Sequence, residues 1–216
     1  MMSRKAKRKM SNVTYTFSED GLTCYGRLQN GNVFLIDAIM HDKIKNINFY
    51  RNYNRKADRK TYVIDSSGIP LHRHLLEHKN GYEIDHINLD TFDNRLCNLR
   101  YCTHQQNQCN QPLQSNNTSG VTGVSYYAPR GKYRARIKIF QHDIHLGYYV
   151  TFNEAVQARN VGMNCMFGEY GIYNKTETTP EWIIEKVVII CKRFVELSLC
   201  KAFVDYVKNI EEVNNE

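Results

Sequence analysis

The chain has 216 residues and a formal charge of +7, from 29 Lys and Arg against 22 Asp and Glu, with a sequence pI near 9.0. At 24% charged and 42% hydrophobic, it is neither a disordered acidic tail nor wholly a membrane protein. Four Pro and twelve Gly exclude a collagen-like or Pro-rich chain, and the excess base favours a phosphate-rich partner.

Seven cysteines, an odd number with no CxxC pair, argue against a secreted disulfide framework. The start, Met1 to Lys9, is basic with no apolar stretch behind it, so no signal peptide is expected and the reading is intracellular with reduced thiols. Cys97, Cys102 and Cys109 lie close together in a spacing that matches no zinc pattern, which favours packing thiols. No window reaches the roughly 18 uncharged apolar residues of a membrane span.

Taken in chain order, residues 1–10 form a basic tail. Residues 11–60 carry short β-like runs, Val33 to Ile36 and Asn48 to Tyr50, between Asn and Gly turns; Arg55, Lys56, Arg59 and Lys60 form a basic loop. Residues 61–111 are rich in His, Asn and Asp. Residues 112–117 read as a polar linker, and 118–175 as strand, strand, strand, helix. Residues 176–216 open with Thr179-Pro180-Glu181, Pro at the first helical position, followed by apolar residues at helical spacing: Ile184, Val187, Val188, Cys191, Val195, Leu199 and beyond. That amphipathic region is expected to pack on the rest of the chain.

The string from Tyr82 to Asn107 holds the chemistry. Asp85 and His86 sit at the end of an apolar-alternating strand and point to opposite faces unless the strand bends. Thr103-x-x-Gln106 is a capping-box pattern that places Asn107 in the first turns of a helix. A carboxylate and an amide oxygen are hard ligands suited to Mg²⁺, which keeps several waters. An imidazole beside them can take a proton from an attacking water. These parts suffice for metal-assisted hydrolysis of a phosphodiester.

The ordered set Asp85-His86, Asn98 and Asn107, with Leu71 to Leu76 before it, resembles the HNH motif of the ββα-metal nucleases over roughly residues 70–111. It is most similar to the subgroup in mobile and phage-borne homing endonucleases, where Asn replaces the last His. The resemblance implies His86 as general base, Asp85 and Asn107 as metal ligands, and Asn98 as the central Asn that holds the loop and the His-bearing backbone. Asn94 and Arg95 match a structural Asp-Asn-Arg string, and His104 could meet the scissile phosphate or the metal. His72, His74 and His78 read as scaffold outside the site. The family's turn after Asp-His-Ile carries Asn-Gly; here it reads Asn88-Leu89-Asp90. Leu resists positive φ, so the turn is expected to differ or lengthen.

The second constellation starts at Ser119. Lys132 to Ile139 alternates strictly, with Tyr133, Ala135, Ile137 and Ile139 on one face and Arg134, Arg136 and Lys138 on the other. Thr151-Phe152-Asn153-Glu154 is a capping box, and Ala155, Ala158, Gly162 and Cys165 give the helix a small-residue face. Residues 118–172, through Gly123-Val124, Tyr133 to Ile137, Leu146-Gly147 and Glu154-Ala155 with Ala158, resemble the AP2 domain of plant transcription factors and phage HNH enzymes. That implies Ser125, Tyr127, Arg130, Arg134, Arg136, Lys138, His145 and Tyr148 as contacts to bases or phosphates.

The expected class is therefore α+β: a ββα-metal HNH module, then a three-stranded antiparallel sheet plus helix of AP2 type, then a C-terminal helix. The expected function is a homing-type endonuclease on double-stranded DNA with a divalent metal, Mg²⁺ before Mn²⁺, and no membrane or small-molecule partner; the oligomeric state is left open, with a monomer favoured. The alternatives are a DNA-binding regulator with an idle HNH fold, and a nuclease of RNA or of general DNA. The charge divides accordingly. Residues 176–216 hold five basic against eight acidic residues, leaving +10 on the first 175.

Overall fold

The computed structural model of the chain describes residues 11–52, 61–111, 113, 115–139 and 142–195. The basic tail at 1–10, the Arg55, Lys56, Arg59 and Lys60 loop, and the apolar positions from Leu199 onward lie outside the described residues. Two compact units divide the chain between Thr103 and His104.

The first unit opens with an antiparallel meander of β1 (Thr14–Phe17), β2 (Thr23–Arg27) and β3 (Val33–Asp37). In β3 the burial alternates, with Phe34 and Ile36 fully inside. The tip of the Phe34 ring rests over Gly26 of β2: a Cβ there would come within 2.1 Å of the ring, so only glycine lets it close on the sheet. A 3₁₀ turn and the one-turn helix α1 (His41–Ile44) lead to β4 (Phe49–Arg51), which pairs with β5 (Val63–Asp65). The single turn α2 (His72–Leu75) follows, then the hairpin of β6 (Glu83–His86) and β7 (Leu99–Cys102). Phe34, Ile36, Ile44, Phe49, Leu71 and Leu75 anchor one hydrophobic core.

The second unit begins with α3 (His104–Cys109). Strands β8 (Val124–Tyr127), β9 (Lys132–Ile139) and β10 (His142–Tyr149) form an antiparallel sheet with β9 central. Helix α4 (Phe152–Phe167) crosses its apolar face, and α5 (Glu181–Val195) packs on α4 and β10. The capping box of α4 is complete: Glu154 N–H donates to the Thr151 hydroxyl oxygen at 3.1 Å, and Thr151 N–H donates to the Glu154 carboxylate at 2.9 Å. Such a cap contributes about 1 kcal/mol. The small face of α4 permits close approach, since a Cβ on Gly162 would lie 2.6 Å from a Leu146 methyl. On α5 the buried stripe is Ile183, Val187 and Cys191, at i, i+4 and i+8. Ile183 belongs to that stripe although the spacing read from Ile184 omits it, and its N–H donates to the Pro180 carbonyl at the helix start. Among the described residues no helix is long and apolar enough to cross a membrane.

Candidate active site and nucleic-acid interface

Antiparallel pairing of β6 and β7 sets Asp85 opposite Arg100 and His86 opposite Leu99. The Arg100 guanidinium donates through Nε and Nη2 to the same Asp85 oxygen, at 3.1 and 2.9 Å. Asp85 is 3% exposed, so this is a buried ion pair. Arg100 was not among the residues expected at the site. Its signal in the sequence is the hairpin register, which the strand pattern alone leaves undefined.

His86 is also buried, at 2% exposed. Its Nε2 lies 3.1 Å from Oδ1 of Asn94. The amide nitrogen of Asn94 donates to the Thr91 carbonyl, which fixes the orientation of the amide. An amide oxygen only accepts, so Nε2 carries the proton and Nδ1 is the lone-pair nitrogen of this tautomer. Asn94 was expected to be structural; it is also the orienting partner of His86.

The loop that carries Asn94 is bound on both sides. The Asn98 side chain accepts from Asn88 N–H at 3.0 Å and donates to the Asp93 carbonyl at 2.7 Å, while Ile87 N–H donates to the Asn98 carbonyl. Asp93 is clamped by two bonds from Arg95, at 2.8 and 2.7 Å, which with further hydrogen bonds hold its carboxyl below the usual range. From the other side, β3 takes the loop as an added backbone partner. Leu35 N–H donates to the Phe92 carbonyl and Asn94 N–H to the Leu35 carbonyl, both at 2.8 Å, and Leu96 N–H donates to Asp37 at 2.6 Å. The N-terminal sheet, which named no chemistry in the sequence, thus braces the loop under His86.

The turn after His86 overturns one expectation. Leu89 adopts φ 68°, and its N–H closes the turn on the His86 carbonyl at 3.0 Å. The turn neither lengthens nor avoids the left-handed region; Leu89 takes that conformation. Asn88 and Asp90 side chains bond the backbone N–H groups two residues on, at 2.8 and 2.9 Å, and over-determine the loop.

His72, set aside as scaffold, sits at the site. Its ring meets that of His86 edge-on at 5.2 Å between centroids, and Tyr62 lies 5.7 Å from His72 and 6.1 Å from His86. His74 instead bonds Asp65 at 3.1 Å. Cys97 is exposed, Cys102 buried and Cys109 half-buried, all as free thiols. Among the described residues no three His, Cys, Asp or Glu converge as a metal cluster. His104 and Asn107 lie on α3, the first exposed with its ring bonded to Gln108 at 2.8 Å, the second half-buried.

In the second unit the open face of the sheet is basic and aromatic. Tyr127 and Tyr148 rings lie 5.2 Å apart, and His145 is 4.5 Å from Tyr148. Arg130 stacks over Tyr148 at 4.5 Å and Arg134 over Tyr127 at 5.6 Å. The Arg134 Nε is buried without a hydrogen-bond partner. Lys138 is exposed and Ser125 half-buried, while Arg136 pairs with Asp143 at 2.9 Å. Burial and the neighbouring Arg134, Arg130 and Lys186 push the His145 imidazole below its ordinary pKa. Lys186, unforeseen from the sequence, crosses from α5 to lie 4.4 Å over Tyr149; a Cβ on Gly147 would meet its ammonium at 2.8 Å.

Comparison with known proteins bears on the first of these two sites. The family model "HNH endonuclease" matches residues 70–109. The HNH segment thus spans α2, the β6–β7 hairpin and α3, with Asp85, His86, Asn94 and Asn98 inside it. The chain is also 27% identical over 88 residues to "Protein 3.8" of Escherichia phage T7, across 41% of this chain and 67% of that protein. No solved structure matches it. The HNH match supports a nuclease.

Proposed function

We propose that the chain is a metal-dependent endonuclease that hydrolyses a phosphodiester bond of double-stranded DNA, with His86 as general base. The observation that carries this reading is the His86–Asn94 bond inside the HNH segment, because it fixes which ring nitrogen can take a proton. In that role Nδ1 of His86 accepts a proton from water, the water oxygen bonds to phosphorus, and the bond to the leaving oxygen breaks. Nε2 keeps its proton on Asn94 throughout, so the ring need not reorient. Asn98 holds the turn that carries the base. The Arg100 guanidinium, paired with Asp85, holds that carboxylate in place.

The donor chemistry fits a hard divalent cation. Asp85 offers a buried carboxylate, and the resemblance adds the amide oxygen of Asn107; Mg²⁺ binds through few protein oxygens. When bound, such a cation neutralises charge on the phosphoryl oxygens. His104 serves as a phosphate contact in the same reading.

The second unit is the reader, of AP2 type. The open face with Ser125, Tyr127, Arg130, Arg134, Lys138, His145 and Tyr148 supports it, and the buried Arg134 Nε without an acceptor is its most specific feature. Arg136 joins this set when its exposed pair with Asp143 opens, which costs at most about 1 kcal/mol. Choice of site through this sheet and a homing role belong to the same reading.

The test is incubation of the full chain with plasmid DNA, with Mg²⁺ or with EDTA, beside His86→Ala. Cleavage by wild type in Mg²⁺ only, absent in His86→Ala at unchanged DNA affinity, supports the nuclease. Binding without cleavage in every arm supports a regulator with an idle HNH fold instead.

A further inference from the structure

We propose that His72 is a positioning residue of the nuclease site: its ring, packed edge-on against His86, holds the base in the orientation in which Nε2 faces Asn94. The inference rests on the reading of His86 as general base and extends it to a residue outside the Asp-His…Asn…Asn pattern.

Three observations converge. First, the contact is direct. The two imidazole centroids are 5.2 Å apart at an interplanar angle of 79°, an edge-to-face arrangement that opposes rotation of either ring. Second, His86 has ring neighbours of two origins. Tyr62 tilts against it at 6.1 Å and meets His72 at 5.7 Å, so the three rings form one closed group with Asn94 at the polar edge of His86. Third, His72 is itself immobilised. It is 7% exposed and opens the single helical turn α2 between the fully buried Leu71 and Leu75. That turn is pinned to the sheet by the bond from Leu71 N–H to the Val63 carbonyl at 2.8 Å.

A hydrogen bond at Nε2 fixes one point of the imidazole, whereas a ring wall packed edge-on resists its rotation about that point. Near-attack placement of a base is sensitive to shifts of about 1 Å, which can cost about 100-fold in rate. The wall must also stay uncharged, because a second imidazolium at this distance would oppose protonation of His86 during the reaction. Burial above all, then the neighbouring His86 and Arg73, push the His72 imidazole down to about 3, so it is neutral at working pH. What His72 supplies is therefore the shape of a neutral ring, and another neutral ring should replace it.

The experiment compares His72→Ala and His72→Phe in the full chain, with His86→Ala as the inactive control. Cleavage kinetics, DNA affinity and the ¹⁵N signals of the His86 ring are read for each. His72→Ala is expected to lower kcat at least 10-fold with KM and DNA affinity within about twofold, and to exchange-broaden the Nε2–H signal of His86. His72→Phe is expected to restore kcat to within about threefold of wild type and to return a sharp Nε2–H signal. A His72→Phe variant as inactive as His72→Ala overturns the proposal, since the imidazole itself would then be needed. Full activity with an unchanged His86 signal in His72→Ala overturns it as well. If no variant cleaves and wild type does not either, the nuclease reading fails; the His86 ring signal still decides whether His72 positions that ring.

Discussion

Asn94 and His86 form a buried side-chain pair in the HNH segment: Oδ1 of one lies 3.1 Å from Nε2 of the other, and both are at most 2% exposed. Removing the acceptor should free the imidazole tautomer. Asn94→Leu is expected to lower kcat about 10- to 100-fold, the usual effect of losing an orienting partner, with DNA affinity unchanged. Asn94→Asp keeps an acceptor oxygen and should be the milder change. Single-turnover cleavage rates at saturating protein check both.

Leu89 stores strain. A residue with a Cβ in the left-handed region costs roughly 1–2 kcal/mol relative to its ordinary conformation, and glycine does not bear that cost. Leu89→Gly is expected to raise stability by about 1 kcal/mol, since the looser unfolded chain offsets part of the gain. Urea denaturation of the two forms should show it as a higher midpoint at the same slope, with cleavage unchanged.

Stability should fall on mild acidification. The His72 imidazole is held below its ordinary value by burial, and His145 is lowered for the same first reason. Below pH 6.5 the unfolded chain binds protons that the folded chain refuses, so stability is complete above that value and declines toward pH 3 for His72. The slope for one such group is at most about 1.4 kcal/mol per pH unit. Asp65 and Asp93, whose carboxyls are lowered, act only below about pH 4, so they do not obscure the window between. Chemical denaturation at pH 7.5 and pH 5 should show the decline, and His72→Phe should remove most of it.

The open face of the second sheet predicts opposite effects from two charges. Arg134→Ala is expected to weaken DNA binding and to reduce the slope of log affinity against log salt by about one unit. Asp143→Asn releases Arg136 from its 2.9 Å pair and removes a negative charge, so it should tighten binding at low salt. Fluorescence anisotropy over a salt series measures both slopes. Unchanged binding in both variants would leave this face merely solvated.

The Thr151 cap and the apolar alternation of β9 were legible from the residues because they are local: a cap needs four residues, and a strand's two faces follow from its period of two. The spacing of Asp85, His86, Asn98 and Asn107 was legible in the same way. Contacts between elements were not. Arg100 reaches Asp85 through a hairpin register, His72 reaches His86 across thirteen intervening residues, and Leu35 and Asp37 bind the loop at 92–96 from more than fifty residues away. Even inside one strand, period alone would set His145 and Tyr148 on opposite faces. The bulge between His145 and Gly147 turns both to the open side, with rings 4.5 Å apart, and sends Leu146 into the core.

The sequence by itself thus determined which chemical groups are present, their order, and the local elements that carry them, since these depend on neighbours a few residues apart. Tertiary structure alone decided the partners: Asn94 and His72 for the His86 ring, Arg100 for the Asp85 carboxylate, and β3 for the loop beneath them. Those pairings join segments that only folding brings together, and the burial that makes them specific exists only once the core has closed. The excess positive charge showed the same division. Composition set its size, whereas the rings of Tyr127 and Tyr148 under Arg134 and Arg130 decided where part of it is held.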